Sequence, residues 1–166
     1  PCDGVETACA WKFALESKAA PSALILSRQS LDAQKRETHD SIFLGGYELA
    51  SAQNPKITLI ASGSEVGLAM KVRDQLNEQK ISSRVVSMPC TEIFDEQSPE
   101  YQRETLGDLP KIFIEAGQSD FWKKYCEGDD QVVGIDKFGE SAPIGDLMNH
   151  FGFTVENIIK QINKTI

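Results

Sequence analysis

Ile57-Thr58-Leu59-Ile60-Ala61-Ser62-Gly63-Ser64-Glu65 is the stretch whose reading decides the fold. The first five residues read as a buried strand, and the Gly-Ser-Glu turn opens a helix predicted to run to about Lys80. That helix mixes Val66, Ala69, Met70, Val72 and Leu76 with polar positions. Downstream the alternation repeats. Residues 84–88 read as a strand stopped by Pro89, 91–97 and 99–107 as short helical turns, 112–115 as a strand and 119–127 as a helix. Residues 132–135 read as a further strand and 143–151 as a helix. Thr154 caps a last helix with Val155, Ile158, Ile159 and Ile162 on its inner face. Strands alternating with helices imply an α/β fold with a three-layer, mainly parallel, helix-covered sheet.

Upstream, 47–49 is a short strand preceded by Gly45-Gly46, and 29–44 is a charged run with little apolar period, read as a linker. A domain boundary is placed there. Residues 3–27 read as a helix feeding an apolar strand. The helix opens on an Asp3-x-x-Glu6 capping pattern and carries Val5, Ala8, Cys9, Lys12 and Leu15 near one stripe. Trp11 and Phe13 lie off the stripe, which suggests burial on more than one side. After Pro21, Ala23-Leu24-Ile25-Leu26 reads as a strand that belongs inside a parallel sheet. A parallel neighbour needs a crossover of about a dozen residues, and one helix is all that precedes it. Residues 1–28 are therefore an orphan αβ unit, whose apolar side chains are expected to be covered rather than solvated.

The chain has 166 residues, 40% hydrophobic and 25% charged, the profile of a soluble globular protein. Its 25 acidic against 17 basic residues give a net charge of −8. That balance disfavours nucleic acid and anionic membrane surfaces, both of which need clustered Lys and Arg. No apolar run approaches the roughly 20 residues of a membrane span. Cys2, Cys9, Cys90 and Cys126 have neither CxxC spacing nor a nearby histidine, so reduced thiols in a cytosolic protein fit better than a disulfide framework or zinc site.

Arg28 directly follows the 23–26 strand. Ligands bind at the carboxyl ends of strands in open α/β sheets, and a guanidinium there suits a phosphate or carboxylate. The plainer reading is an ion pair holding the next loop. Ser62-Gly63-Ser64-Glu65 lacks the glycine spacing of a dinucleotide site and the Gly-Lys of a P-loop. Glu65 in the first helical turn repels phosphate, so Ser64 reads as an N-cap. Ser141, ahead of Ala142-Pro143, fits a capped helix start and lacks both a nucleophile elbow and a paired histidine. Glu115 and Glu140 each follow a strand, but nothing in their spacing brings them together. His39 lies in the linker, and His150 ends a helix, where a protonated ring suits the dipole.

Several runs together resemble transketolase. They include Pro1-Cys2-Asp3-x-x-Glu6, Ala10-Trp11-Lys12, Ala23-Leu24-Ile25-Leu26-Ser27-Arg28-Gln29 and Gly45-Gly46-Tyr47. The resemblance continues through Ala61-Ser62-Gly63-Ser64-Glu65-Val66, Arg84-Val85-Val86-Ser87-Met88-Pro89, Glu115-Ala116-Gly117 and the 138–143 segment, and ends on Phe151-Gly152-Phe153-Thr154. It implies that 1–28 ends the pyrimidine-binding domain, that 29–45 is a linker, and that 46–166 is the C-terminal domain with one antiparallel strand in its sheet. It further implies a cytoplasmic homodimer that transfers a two-carbon ketol unit between sugar phosphates in the pentose phosphate pathway. The full enzyme uses thiamine diphosphate and Mg2+ or Ca2+. In the family the arginine of the Leu-Ser-Arg-Gln motif binds substrate phosphate, so the resemblance assigns that role to Arg28. The metal- and diphosphate-binding segment, the activating glutamate and the substrate-contacting histidines lie upstream of this match, and His39 and His150 correspond to none of them. The chain alone is expected to be inactive and to bind no cofactor. The alternatives are a freestanding small-anion-binding or assembly module, or part of another thiamine diphosphate-dependent transferase.

Overall fold

β2 (Ile57–Ala61) is buried along its whole length, because it has a parallel neighbour on each side. One neighbour is β3 (Ser83–Ser87) and the other β4 (Lys111–Ile114). β5 (Gln131–Val133) extends the sheet in parallel beyond β4. β1 (Tyr47–Ala50) closes the far edge, antiparallel to β3, giving the order β1-β3-β2-β4-β5. The computed structural model describes residues 1–36 and 39–166. The predicted linker includes 37 and 38, which lie outside the described residues.

Side chains alternate across a strand, and the sheet therefore separates two apolar cores. On one face Ile57, Leu59 and Ala61 meet α2 (Glu65–Glu78) and α6 (Val155–Thr165). α2 turns Val66, Ala69, Val72 and Leu76 inward, and α6 turns in Ile158, Ile159 and Ile162. Thr154 caps α6 by accepting from the Asn157 N–H at 3.2 Å. On the other face Ile60, Val86 and Phe113 pack against Phe94 of α3 (Thr91–Asp95) and Tyr101 and Leu106 of α4 (Pro99–Leu106). Trp122 and Tyr125, from a 3-10 turn at Ser119–Tyr125, complete that cluster. The result is the three-layer α/β architecture with one antiparallel strand expected above. A tight turn leads into β1: Gly45 has φ +83°, and a Cβ there would stand 2.4 Å from the Cys90 carbonyl oxygen and the Phe94 nitrogen.

The structure corrects several local expectations. The 119–127 helix is the shorter 3-10 turn. α5 (Ile144–Phe151) begins after Pro143, which holds the cap position without a side-chain bond, so the exposed Ser141 is not its cap. Ser64 does precede α2, but its backbone is already helical (φ −62°, ψ −27°), and its hydroxyl donates to Glu65 Oε1 instead of capping an N–H.

The largest corrections concern the N-terminal arm. α1 (Gly4–Glu16) starts as its capping pattern requires, with Asp3 Oδ1 accepting from the N–H groups of Val5 and Glu6 at 3.1 and 3.0 Å. Its one fully buried side chain is a carboxylate, Glu6, flanked by half-buried Val5 and Cys9 against the core. Trp11, Phe13 and Leu15 are exposed. Residues 22–27 form no strand, because a strand exists through its neighbours' hydrogen bonds and none lies beside them among the described residues. Ile25 is 87% exposed and Leu26 50%, so the expectation that 1–28 bury their apolar side chains holds for Cys2, Val5 and Cys9 and fails for Trp11, Phe13 and Leu15 within α1 and for Ile25 and Leu26 beyond it.

Candidate functional site

Two regions carry chemistry-bearing side chains. The first is the carboxyl edge of the sheet. β2 has β3 on one side and β4 on the other, so the chain's crossovers part at the ends of β2 and β4, where α/β folds leave a crevice. Ser62 follows β2 and donates to Glu115 Oε2, beyond β4, at 2.6 Å. Gly63, with φ +49°, turns the chain into α2, whose first residue is the buried Glu65. Glu65 also accepts from the Ala116 backbone N–H.

Burial pushes both carboxyls up. The Glu65 charge raises Glu115 further, against the lowering effect of the Ser62 hydroxyl. This edge thus carries two acidic groups where an anion would otherwise meet the helix N-terminus, which makes it a poor anion site. Glu140, the carboxylate earlier weighed with Glu115, is exposed and not linked to it among the described residues. The partner Glu115 does have is Glu65, 50 positions back in the chain, and only the parallel pairing of β2 with β4 brings them together.

The second region joins α1 to the sheet. Asp3 Oδ2 lies 2.8 Å from Arg36 Nη2 and accepts the Gln34 N–H at 2.9 Å. Glu6 accepts from the Cys2 N–H (2.6 Å), the Tyr47 hydroxyl (2.8 Å) and the Ser87 hydroxyl (2.6 Å). Arg36 Nε donates to the Tyr47 oxygen at 3.2 Å, closing the network. Burial acts to raise Asp3, but the N–H groups of Glu6 and Gln34 and the Arg36 guanidinium outweigh it, holding the carboxyl below its usual range. Burial, with the Glu6 charge beside them, pushes both the Cys2 thiol and the Tyr47 phenol up, so each stays protonated at neutral pH. Sequence reading found Asp3 and Glu6 as a cap but missed this network. Its bonded pairs lie up to 81 positions apart, and no spacing signals it.

Arg28 stands in an exposed bend, with Ser27 Oγ donating to the Gln29 carbonyl at 3.4 Å. It makes no ion pair or hydrogen bond among the described residues, so the loop-holding ion pair weighed above is not formed. Its neighbours Leu26, Ser27 and Gln29 line a cleft of about 230 Å³ whose opposite wall is Asp3, Gly4 and Thr7 from the start of α1. His39 precedes a 3-10 turn at Asp40–Leu44, and His150 Nε2 lies 3.2 Å from Lys137 Nζ; neither joins Arg28 or the carboxylates. Among the described residues no group of three or more His, Cys, Asp or Glu could hold a metal ion, so they do not fit a divalent cation. All four cysteines are free.

Comparison with known proteins bears on both regions. Residues 45–154 match the family model of the transketolase-like TK C-terminal domain. Transketolase 1 of Vibrio cholerae is 47% identical over the whole chain, which spans 26% of that relative. The crystal structure of transketolase from Pichia stipitis in complex with sedoheptulose-7-phosphate superposes with a TM-score of 0.92 at 36% identity, covering 99% of this chain and 24% of that one. The Campylobacter jejuni transketolase structure gives 0.90 at 39% identity, covering 99% and 25%. The chain thus spans about a quarter of the relatives it matches. With its five-stranded sheet, its antiparallel edge strand and this match along residues 45–154, well over half of its length, the chain belongs to the transketolase family, in its C-terminal domain.

Proposed function

We propose that this chain is the C-terminal part of a transketolase, an enzyme that moves a two-carbon ketol unit between sugar phosphates. In this reading residues 1–28 are the last helix and strand of a pyrimidine-binding domain, 29–45 a linker and 46–166 the C-terminal domain. The whole enzyme is a cytoplasmic homodimer of the pentose phosphate pathway using thiamine diphosphate and Mg2+ or Ca2+. The observation that carries the reading is the similarity to transketolases along the entire chain, arm included.

Arg28 is the residue that takes the substrate phosphate. A guanidinium offers a rigid fork of donors to a phosphate dianion, and no carboxylate among the described residues competes for it. The sheet domain is architectural, since its own carboxyl edge carries Glu65 and Glu115. Nothing among the described residues fits a metal ion, so the cofactor's cation is held by other parts of the enzyme.

In the full-length enzyme, Arg28→Ala should raise KM for ribose 5-phosphate at least about tenfold, the loss expected for a charge-assisted hydrogen bond. Turnover with glycolaldehyde, which has no phosphate, should be unaffected. An unchanged KM would overturn the role of Arg28. The 166-residue chain by itself should give no ketol transfer from xylulose 5-phosphate to ribose 5-phosphate, and measurable turnover would count against its dependence on the other domains.

A further inference from the structure

β5 is an edge strand, with β4 on one side and no strand on the other among the described residues. The arm is bonded at the other end of the sheet, to Tyr47 of β1 and Ser87 of β3. Residues 134–143 leave β5 without forming a helix or strand, and 136–146 are all exposed. The root of this segment is held. Asp136 accepts from the Ser119 N–H at 2.9 Å and from its hydroxyl at 2.8 Å. Lys137 Nζ lies 3.2 Å from His150 Nε2 and 4.9 Å from the centre of the Phe151 ring. Past that root, residues 138–142 make no hydrogen bond or ion pair among the described residues. Phe138 is 96% exposed and Ile144 48%, and α5 buries none of its residues.

Burying one such ring is worth about 1.5–3 kcal/mol, and an apolar centre with a charged rim is the anatomy of a protein interface. The charges indicate which partner fits. Phe138 and Gly139 stand between Lys137 and Glu140, which are opposite in sign. About a two-fold axis, a residue i of one copy meets j of the other, and j meets i. Turned on itself in this way, the segment sets Lys137 against Glu140 of the partner subunit, twice, with the two Phe138 rings between. At a net charge of −8 two copies repel, so their contact calls for a cation placed against an anion. The other acids of the segment have their own settings: Asp136 is taken up by Ser119, and Asp146 lies in the first turn of α5, where the helix dipole favours it. We propose that residues 136–146 form a two-fold contact between copies of this chain, centred on Phe138 and set in register by Lys137 against Glu140. The inference rests on the homodimer proposed above and names a surface for it.

A charge exchange tests this contact. In the full-length enzyme, sedimentation velocity from nanomolar to micromolar concentration reads the dimer Kd. Glu140→Lys, at an exposed position with no bond to lose, sets cation against cation and should raise Kd at least about tenfold. Lys137→Glu should do the same with two anions. The double variant K137E/E140K brings opposite charges together again and should return to within about threefold of the unsubstituted enzyme. Phe138→Ser, which removes the apolar centre, should weaken the dimer about tenfold. All four should keep the circular dichroism of the unsubstituted enzyme, because the positions are exposed. If the single variants weaken the dimer and the double does not recover, the segment meets a different surface and the proposal is overturned. Single variants that leave Kd unchanged also overturn it, while the homodimer stands. If the unsubstituted enzyme sediments as a monomer throughout, the homodimer reading fails and the contact fails with it.

Discussion

Phe113 in β4 is packed among Ile60, Val86, Phe94 and Trp122, whereas Glu6 in α1, equally buried, is held by three hydrogen-bond donors. The sheet body is built on apolar burial, which is non-directional and tolerant of detail. The arm is joined by directed polar contacts, each of which fails if one partner is removed. The two regions should therefore respond differently to the same kinds of perturbation.

The largest effect belongs to the sheet. Phe113→Ala should cost about 3–5 kcal/mol in urea denaturation, with a cavity beside Trp122. A loss under 1 kcal/mol would mean that this face is loosely packed. Next comes Glu6→Ala, which leaves the Tyr47 and Ser87 hydroxyls and the Cys2 N–H without their acceptor and should cost about 2–3 kcal/mol. That loss should be local: amide exchange quickens in α1 and stays slow in β2 and β4. Uniform quickening would erase the distinction between the regions.

pH should move the two regions in opposite directions. Asp3 is held below its usual range, so its contribution is complete above about pH 3.9, the unfolded value, and is lost as pH falls through the lower folded value. Near-UV circular dichroism of Tyr47 should register the arm loosening only in that acid range. Glu65 and Glu115 are shifted up, so they weaken the fold increasingly as pH rises from about 4.3, the unfolded value, through their folded values. Glu115→Gln keeps an oxygen for Ser62 and should therefore stabilise by about 1 kcal/mol at pH 7 and by nothing at pH 4. Destabilisation at both pH values would show that the Ser62 bond outweighs the charge. The smallest effect is expected at Leu15, which is 77% exposed. Leu15→Ser should shift the melting of this chain by no more than about 0.5 kcal/mol, although its sequence stripe resembles that of a core helix.

Leu15 marks the limit of what pattern alone can say. Where an element finds its partners within the chain, pattern and structure mostly agree, the 3-10 turn at Ser119–Tyr125 and the uncapped starts of α2 and α5 being the exceptions. The apolar run 57–61 became the central strand, the 3.6-residue period of Val66, Ala69, Val72 and Leu76 became the inner face of α2, and Thr154 became a cap. The run 23–26 has the same composition as a buried strand but pairs with no strand among the described residues, so it stays irregular, with Leu24 half-buried and Ala23, Ile25 and Leu26 exposed. The candidate site divides in the same way. Arg28 was legible as a guanidinium after an apolar run, and the Leu-Ser-Arg-Gln motif marked it again. The Asp3–Arg36 and Glu6–Tyr47–Ser87 contacts and the Glu65–Glu115 pairing were not.

Sequence by itself determined the order of strands in the sheet domain from 47 onward, the capped helix starts at Asp3 and Thr154, and the family. These follow from local period and local hydrogen-bonding chemistry. Tertiary structure alone decided which acids lie side by side, which residues tie the arm to the sheet and which apolar runs are covered. Each of those depends on groups from distant parts of the chain meeting in space, with burial and charge then acting on the groups that met.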